Sequence, residues 1–527
     1  MQQIDPVSFP ELIFGTAGPI GVDMDALSRA IAECLAAVGY QAAHIKLTEE
    51  MLRFRPGIVP KPKEAGKFAE YEWKMDYANA LRKAYERSDA LARIAIHTIR
   101  LRRAAVTRSR LAESLPTEVP PEEKPLDRHA FIIRQLKHPD EVTLLRKVYG
   151  KQFILISAYL RESDRKHNLI ENIKTTESTR SLHSLIEYKA TKLIERDASE
   201  TEEQLGQKLR DVFHLADMFI DGSNIETMRD ALEKFVNVFF GKTDITPSKD
   251  EYGMYAAKSA SLRSSDLSRQ VGAAIFSNEG EIITQGCNEA PKFGGGTYWD
   301  SELPDHRDIK KGKDPNDLQK REILRDVIER LRTAGCLSTT LLSKGNDTEI
   351  VSFLLQKENH SPDEEEGPLS NSWLMDLTEF GRIIHAEMSA ICDAARLGRS
   401  IRFSTLYCTT FPCHNCCKHI IGAGINRVVY MEPYPKSRAK DLHEDEIDIE
   451  TENTTRRVAF VPFLGISPYR YRDVFQKGRR KTRDGIASTW IHGEPRPILD
   501  IDFPSYTRMG EIWALIPLLG DLKDAVA

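Results

Sequence analysis

The chain has 527 residues, a net charge of −5 and a pI of about 6.3, which argue against a dedicated nucleic-acid binder because such proteins are usually basic. The length exceeds the roughly 250 to 300 residues at which a single core stops growing, so two or more domains are expected. The sequence shows no signal-peptide pattern and no apolar run of about eighteen residues, and its 8 cysteines include one tight cluster, so we expect a cytoplasmic protein without a membrane partner.

The first predicted elements are a strand at 11–14, a glycine-rich turn at 15–21 and a helix at 25–38. Such an arrangement binds anions because backbone N–H groups and the helix dipole converge on the turn. We therefore predict a weak nucleotide-binding loop formed by Gly15, Gly18 and Gly21. The loop lacks the lysine and hydroxyl of a true P-loop, and Asp23 would repel a phosphate.

Three further strands are predicted in the amino-terminal half, at 130–136, 152–158 and 216–220. The last of them resembles the closing strand of nucleotide kinases. We expect residues 1–245 to form a P-loop NTPase-like, nucleotide-kinase-like three-layer α/β domain that has lost phosphoryl transfer. Two roles stay open for it: retained nucleotide binding, or a structural or regulatory function.

A cluster of arginines lies between the first two predicted strands, at positions 93, 100, 102, 103, 108 and 110. These side chains would clamp phosphates in a nucleotide kinase and would bind an RNA regulator in a protein controlled by RNA. A solvated basic helix face is the third interpretation.

Two apolar runs, at 271–276 and 281–286, predict a β-hairpin closed by the turn at 277–280. Arg269 precedes the hairpin, and Asn288 follows it. From the sequence alone, Asn288 either contacts a ligand or caps a loop, and Arg269 either contacts a ligand or lies at a solvated edge.

The strongest motif pairs His385-Ala386-Glu387 with Pro412-Cys413-His414-Asn415-Cys416. Catalytic zinc takes three protein ligands and leaves a fourth position for water, and His385, Cys413 and Cys416 supply three. Zinc lowers the pKa of its water toward neutrality, and Glu387 is placed to carry protons without ligating the metal. HxE followed by PCxxC is the signature of the zinc deaminases, which attack a cytosine or adenine ring.

Local patterns place both motifs at helix starts. Apolar spacing from 384 to 395 predicts a helix with His385 and Glu387 in its first turn, and Pro412 predicts position N1 of a second helix. The alternatives are a structural zinc site, with Cys417 as fourth ligand, or buried thiols without metal. Because adjacent helical residues point about 100° apart, we expect Cys417 to face away from Cys413 and Cys416.

These motifs resemble the deoxycytidylate deaminase family, and the whole chain resembles bacterial antiphage deaminases that join a P-loop kinase-like domain to a zinc deaminase domain. The resemblance implies a cytidine-deaminase-like α/β/α domain at 246–527 with an insertion at about 294–371. It implies that Glu387 is catalytic, that Asn288 contacts the sugar, that Arg269 approaches the phosphate and that Ala386 lines the substrate site.

The same resemblance implies the reaction and its partners. The expected activity is deamination of dCTP to dUTP, and of dCMP to dUMP, which would deplete the dCTP pool during phage infection. A small inhibitory RNA and a homo-oligomer, a hexamer in particular, are the implied partners. Two other functions stay open: an RNA or single-stranded DNA editing deaminase, and a nucleotide sensor that uses the deaminase fold as a scaffold.

Overall fold

The computed structural model describes residues 9–111, 119–176, 183–198, 208–355, 367–434, 436–451, 456–487, 490, 495–499 and 504–522. The chain divides into two compact units. The first comprises Met1–Glu251 together with Phe463–Ala527, and the second comprises Tyr252–Pro462. Among the described residues, no helix combines the length and the apolar character needed to cross a membrane.

The strands, in chain order, are β1 (Leu12–Ala17), β2 (Gln41–Lys46), β3 (His129–Arg134), β4 (Phe153–Tyr159), β5 (Met218–Asp221), β6 (Gly272–Phe276), β7 (Ile282–Cys287), β8 (Thr405–Thr410), β9 (Arg427–Glu432), β10 (Ile447–Ile449), β11 (Val458–Pro462) and β12 (Gly465–Ile466). They form two sheets, in the orders β12-β5-β4-β1-β3-β2 and β10-β11-β9-β8-β6-β7. The mixed α/β class expected from the sequence is confirmed.

The helices are α1 (Met24–Ala37), α2 (Leu47–Glu50), α3 (Lys67–Ala84), α4 (Ala90–Leu111), α5 (Pro139–Tyr149), α6 (Glu162–Lys174), α7 (His183–Ala198), α8 (Leu209–Phe213), α9 (Ile225–Phe239), α10 (Lys249–Ser261), α11 (Asp308–Lys311), α12 (Pro315–Thr333), α13 (Thr339–Leu342), α14 (Asp347–Leu355), α15 (Ala386–Arg396), α16 (His414–Gly422), α17 (Ala439–Leu442), α18 (Tyr471–Phe475) and α19 (Gly510–Leu515).

The sheet of the first unit is parallel from β5 to β2, with β1 between β3 and β4. Its strands β1, β3 and β4 are apolar runs buried along almost their whole length, which is typical of a parallel sheet covered on both faces. Gly15 lies inside β1, where an added Cβ would touch Leu136 and Phe153. The predicted turn at 15–21 therefore begins later, after Ala17.

The arginine cluster contributes to the core of the first unit. Arg103 is fully buried and forms two-pronged ion pairs with Glu11 of the amino terminus and Glu511 of α19, at 2.6 and 2.7 Å. Arg100 donates to the carbonyl of Thr507 at 2.8 Å. The solvated-face interpretation is therefore wrong for Arg103, whereas Arg108 and Arg110 are exposed.

These ion pairs explain why the compact units differ from the predicted boundary at 245/246. Residues 463–527 were expected in the deaminase domain, but they belong to the first unit. A buried arginine needs carboxylate partners, and the second of these comes from the carboxyl-terminal segment. Arg470 adds a further contact, since it donates to Asp217 at 3.0 Å.

In the second unit, β6 and β7 form the predicted hairpin, and β8, β9, β11 and β10 continue the sheet in parallel. Helix α15 packs on β7 at Gly286, where an added Cβ would collide with the backbone of Ala386 and Ala390. This close approach fixes the position of the helix that carries the HAE motif.

The insertion expected at 294–371 contains helices α11 to α14. Leu324 and Ile328 of α12 and Ile350 and Leu354 of α14 form a small apolar cluster. Residues 356–366 of the insertion lie outside the described residues, as do residues 452–455 between β10 and β11.

Candidate metal centre and substrate cavity

The two motifs begin two helices. His385 is the N-cap of α15, and Cys413 is the N-cap of α16, where its sulfur accepts a hydrogen bond from the backbone N–H of Cys416 at 3.4 Å. Pro412 precedes this cap, so its predicted position N1 was wrong by two residues. The proline still ends the preceding strand segment, because a central strand needs the N–H that proline lacks.

Three ligand atoms meet between the helix starts. Nδ1 of His385 lies 3.4 Å from Sγ of Cys413 and 3.3 Å from Sγ of Cys416, and all three atoms lie within 4.8 Å of one another. A tetrahedral zinc site with bonds of 2.0 to 2.3 Å places its ligand atoms roughly 3.6 Å apart. The donor set and its spacing therefore fit zinc.

The thiols of Cys413 and Cys416 have shifted pKa values. The pKa of Cys413 is lowered to about 4, first by the hydrogen bond from Cys416 and then by His385, so its thiolate is favoured. The pKa of Cys416 is raised, first by its interaction with the Cys413 sulfur and then by burial. Zinc binds cysteine as the thiolate, so binding of a divalent cation would require both sulfurs to be deprotonated.

Glu387 lies next to the metal ligands. Its side chain is buried, and Oε2 accepts a hydrogen bond from the thiol of Cys416 at 3.4 Å. Burial raises the pKa of this carboxyl group. A carboxyl group that holds its proton more readily than usual is suited to donate a proton as well as to accept one, which is required of a proton shuttle.

Cys417 does not join the ligand set. Its side chain is fully buried in the apolar cluster of the second unit, with Ile420 and Val428. Burial raises its pKa to about 12, which keeps the thiol protonated. Among the described residues, the one cluster of potential metal ligands is His385, Cys413 and Cys416, so these residues supply three protein ligands, the number typical of a catalytic zinc site.

A cavity of about 170 Å³ opens over His385, Glu387 and Cys413. Several residues of its wall were not predicted as site residues from the sequence, among them Asp266, Thr378, Phe411 and Tyr434. Thr378 lies seven residues before His385 and Tyr434 eighteen residues after Cys416, but neither belongs to a motif, so only the fold shows that they line the cavity. Asp266 lies three residues before Arg269, in the segment that precedes the hairpin, and this proximity is the only sequence feature that linked it to the site.

The predicted substrate residues Asn288, Arg269 and Ala386 all line this cavity. Both polar atoms of the Asn288 amide have partners: Oδ1 accepts from the backbone of Val271 at 2.7 Å, and Nδ2 donates to Asp266 at 2.6 Å and to the carbonyl of Arg269 at 2.8 Å. It therefore holds the loop before β6. The exposed guanidinium of Arg269 lies 5.1 Å from the centre of the Tyr434 ring.

The amino-terminal loop is filled by carboxylates of the protein itself. Asp23 caps α1 by accepting from the backbone N–H groups of Asp25 and Ala26. Asp197 accepts from the N–H of Ile20 at 2.7 Å and pairs with Lys137 at 2.7 Å. Both groups take donors that a phosphate would need.

The three glycines predicted to form that loop lie in different environments. Gly18 accepts a hydrogen bond from Lys137 through its carbonyl, and Gly21 has a positive φ of 99°. Gly21 lines a cavity of about 340 Å³ with Lys46, Lys74 and Arg134, whereas Gly15 lies in β1 and does not line it.

The second unit thus has an α/β sheet with a His-Cys-Cys site at two helix starts and a buried glutamate beside it, which defines a zinc centre of the catalytic type. Residues 247–432 match the family described as "Cytidine and deoxycytidylate deaminase zinc-binding region". This part of the chain therefore carries the zinc-binding region of those deaminases, and zinc is the cofactor that its residues fit.

Individual relatives match over short segments. The deoxycytidylate deaminase of Enterobacteria phage T4 is 49% identical over 55 residues, which are 10% of this chain and 28% of that protein. ComE operon protein 2 of Bacillus subtilis is 47% identical over 53 residues, which are 10% of this chain and 28% of that protein. The matched segments span less than a third of the length of these relatives.

Solved structures give weaker similarities. The dCMP deaminase of cyanophage S-TIM5 in complex with dCMP and dUMP has a TM-score of 0.22 and 19% identity, covering 41% of this chain and 98% of that chain. A deaminase/reductase of Thermotoga maritima has a TM-score of 0.20 and 14% identity, covering 46% of this chain and 49% of that chain. At these TM-scores the similarity supports no argument about substrate.

Proposed function

We propose that the protein is a zinc-dependent deaminase that hydrolyses deoxycytidine nucleotides, converting dCTP to dUTP and dCMP to dUMP with release of ammonia. The observation that carries the proposal is the convergence of His385, Cys413 and Cys416 with the buried Glu387 at one cavity. A zinc ion held by the three ligands supplies the Lewis acidity that lowers the pKa of water.

Glu387 alone can carry both protons that the hydrolysis requires. Water adds to C4 of the cytosine ring, forming a C–O bond, and one of its protons passes through Glu387 to ring N3. The C4–N bond then breaks, and Glu387 delivers the second proton to the departing amine, which leaves as ammonia. Burial of the carboxyl group supports both transfers because it raises the pKa toward neutrality.

The cavity supports a small nucleotide as substrate. Its volume of about 170 Å³ suits a pyrimidine ring with part of a sugar, and the cation of Arg269 stands at its edge. Asn288 would meet the sugar only through the second lone pair of Oδ1, because its amide donors are engaged. We therefore assign Asn288 to positioning the loop that carries Arg269.

The finer expectations belong to the same proposal. We infer dCTP as the physiological substrate, depletion of the dCTP pool as antiphage defence, cytoplasmic action, and control by a small inhibitory RNA in a homo-oligomer. These inferences rest on the resemblance of the whole chain to bacterial antiphage deaminases that join a kinase-like domain to a zinc deaminase domain. The degenerate kinase-like domain is proposed as a structural or regulatory unit, because Asp23 and Asp197 engage the donors of its glycine loop.

The test is ammonia release by the zinc-loaded protein with dCTP, dCMP, CTP, deoxycytidine and a cytosine-containing single strand in parallel. Activity on dCTP or dCMP that disappears in Glu387→Gln supports the proposal. The matched control is Glu444→Gln, because Glu444 is an exposed glutamate of the same unit. Activity confined to the single strand would establish an editing deaminase instead.

The sensor alternative is separated by a second readout. A sensor that uses the deaminase fold as a scaffold keeps its protective effect against phage when Glu387 is replaced by glutamine. An enzyme loses protection and ammonia release together. Nucleotide pools measured in infected cells then show whether dCTP is the compound consumed.

A further inference from the structure

Two segments of the second unit face each other at the edge of the deaminase cavity. The first segment, 373–380, contains the cavity residue Thr378, and the second, residue 434 with residues 436–438, contains the cavity residue Tyr434. Lys436 forms an ion pair with Asp376, and Arg438 lies 4.2 Å from the centre of the Trp373 ring. Two contacts thus join the segments, and in each contact the second segment supplies the cation.

The insertion holds the first segment in place. Lys320 of α12 donates to the carbonyl of Met375 at 3.0 Å, and the amide of Asn316 donates to the carbonyl of Leu377 at 2.9 Å. The same amide accepts from the N–H of Phe380 at 3.3 Å. Helix α12 therefore positions Asp376 and Thr378, which gives the insertion a role at the substrate site.

The two cations differ in their relation to the cavity. Arg269 lines the cavity, whereas Lys436 lies outside the cavity wall, two residues beyond Tyr434. The guanidinium of Arg269 lies 5.1 Å from the centre of the Tyr434 ring, and Lys436 of the Lys436–Asp376 ion pair lies two residues beyond Tyr434 along the chain. Lys436 is half exposed and pairs with a carboxylate that is also accessible to solvent. Such an exposed pair is weak and is readily exchanged.

We propose that Lys436 and Arg269 together form the phosphate subsite of the deaminase, with Arg269 at the inner phosphate and Lys436 at the outer phosphates of a deoxycytidine triphosphate. Asp376 is the counter-ion that the incoming phosphates displace. The inference rests on the proposed function and deepens it, because it makes the length of the phosphate chain the property that the site reads. A phosphate binds an ammonium group more strongly than a single carboxylate does, since it carries more charge and more acceptor oxygens.

The experiment compares kcat/KM for deoxycytidine, dCMP and dCTP in the zinc-loaded wild type and in Lys436→Met. We expect kcat/KM for dCTP to fall about ten- to hundredfold, as on loss of one hydrogen bond to a charged group, and to fall much less for dCMP. The loss is expected in KM, because Lys436 does not touch the ring. Lys440→Met, at an exposed lysine four residues further along, is the control for charge and should retain wild-type values.

A second variant tests the counter-ion. Asp376→Asn should lower the KM for dCTP, because Lys436 no longer has to leave a carboxylate, and the gain should vanish in the double variant Asp376→Asn/Lys436→Met. Equal losses on all three substrates in Lys436→Met would overturn the proposal, and so would a wild type that deaminates dCMP but not dCTP. A wild type inactive on every substrate would instead refute the proposed function.

Discussion

The thiol of Cys416 lies 3.4 Å from Oε2 of Glu387, so a metal ligand and the carboxyl group proposed as proton carrier are direct neighbours. Helix geometry produces this contact. Glu387 is in the first turn of α15, and Cys416 is in the first turn of α16, so two helix starts bring the groups together. A carboxylate held there by backbone structure needs little reorganisation during the reaction.

Replacing Glu387 by glutamine keeps the shape of the side chain and removes its ability to carry a proton. We expect kcat to fall by about 10² to 10⁴, the usual contribution of a general acid-base group, while zinc content stays at the wild-type level. Ammonia release and metal analysis on the same preparation check this. A variant that retains most of its rate would show that another group carries the proton.

The metal ligands are tested by comparing two neighbouring cysteines. Cys413→Ala should lose zinc and activity, because three protein ligands are needed. Cys417→Ala should keep the stoichiometry of one zinc, because its side chain lies in the apolar cluster. Removal of the metal by a chelator and its return should abolish and restore activity in Cys417→Ala. Zinc loss in that variant would contradict the assignment.

The sequence predicted the parts of the site that depend on local spacing. His385, Cys413 and Cys416 sit at helix starts, and their separation along each helix fixes their directions, so pattern and chemistry sufficed. Thr378, Tyr434 and Asp376 were missed because their positions depend on the insertion and on the end of β9. No local rule relates such segments, and only the sheet order brings them to one edge.

The role of the arginine cluster could not be predicted from the local charge pattern. The arginines at 93–110 looked like a solvated or ligand-binding face because their partners, such as Glu511, lie more than four hundred residues away along the chain. The strands at 130–136 and 152–158 were predictable from apolar runs, whereas the pairing of β12 with β5 depends on a distant two-residue segment. Sequence periodicity predicts single helices and strands, but it does not show which distant segments pair with each other.

Gly286 is predicted to be essential for the position of α15. Gly286→Ala places a methyl group against the backbone of Ala386 and Ala390, so α15 must move. We expect a lower melting temperature and a lower kcat together, because Glu387 is in the first turn of that helix. Gly422→Ala, at an exposed helical glycine with open space around it, should leave activity intact and raise stability by up to about 1 kcal/mol.

The buried ion pairs of Arg103 should dominate the stability of the first unit. Arg103→Met leaves the carboxylates of Glu11 and Glu511 buried without their shared partner, which costs about 3 to 5 kcal/mol. Arg108→Met, at an exposed arginine of the same helix, should change the free energy of unfolding by less than about 0.5 kcal/mol. Denaturant unfolding compares them, and similar values for both variants would contradict the structure.

Asp197 is expected to substitute for a phosphate in the amino-terminal loop. Asp197→Ala frees the N–H of Ile20 and the ammonium of Lys137, so the first unit should lose stability. Inorganic phosphate should restore part of it in the variant, in proportion to ligand binding, and should have a smaller effect on the wild type. Equal responses of the melting temperature to phosphate in both proteins would refute this role.

The return of residues 463–527 to the first unit makes the second unit an interruption of the first along the chain. During synthesis the ribosome therefore releases every residue of the second unit, including all three zinc ligands, before it releases Glu511. The first unit cannot complete its buried ion pairs until that point. A nascent chain of this protein is expected to acquire its metal centre first and to finish its amino-terminal core last, which reverses the usual order of domain folding.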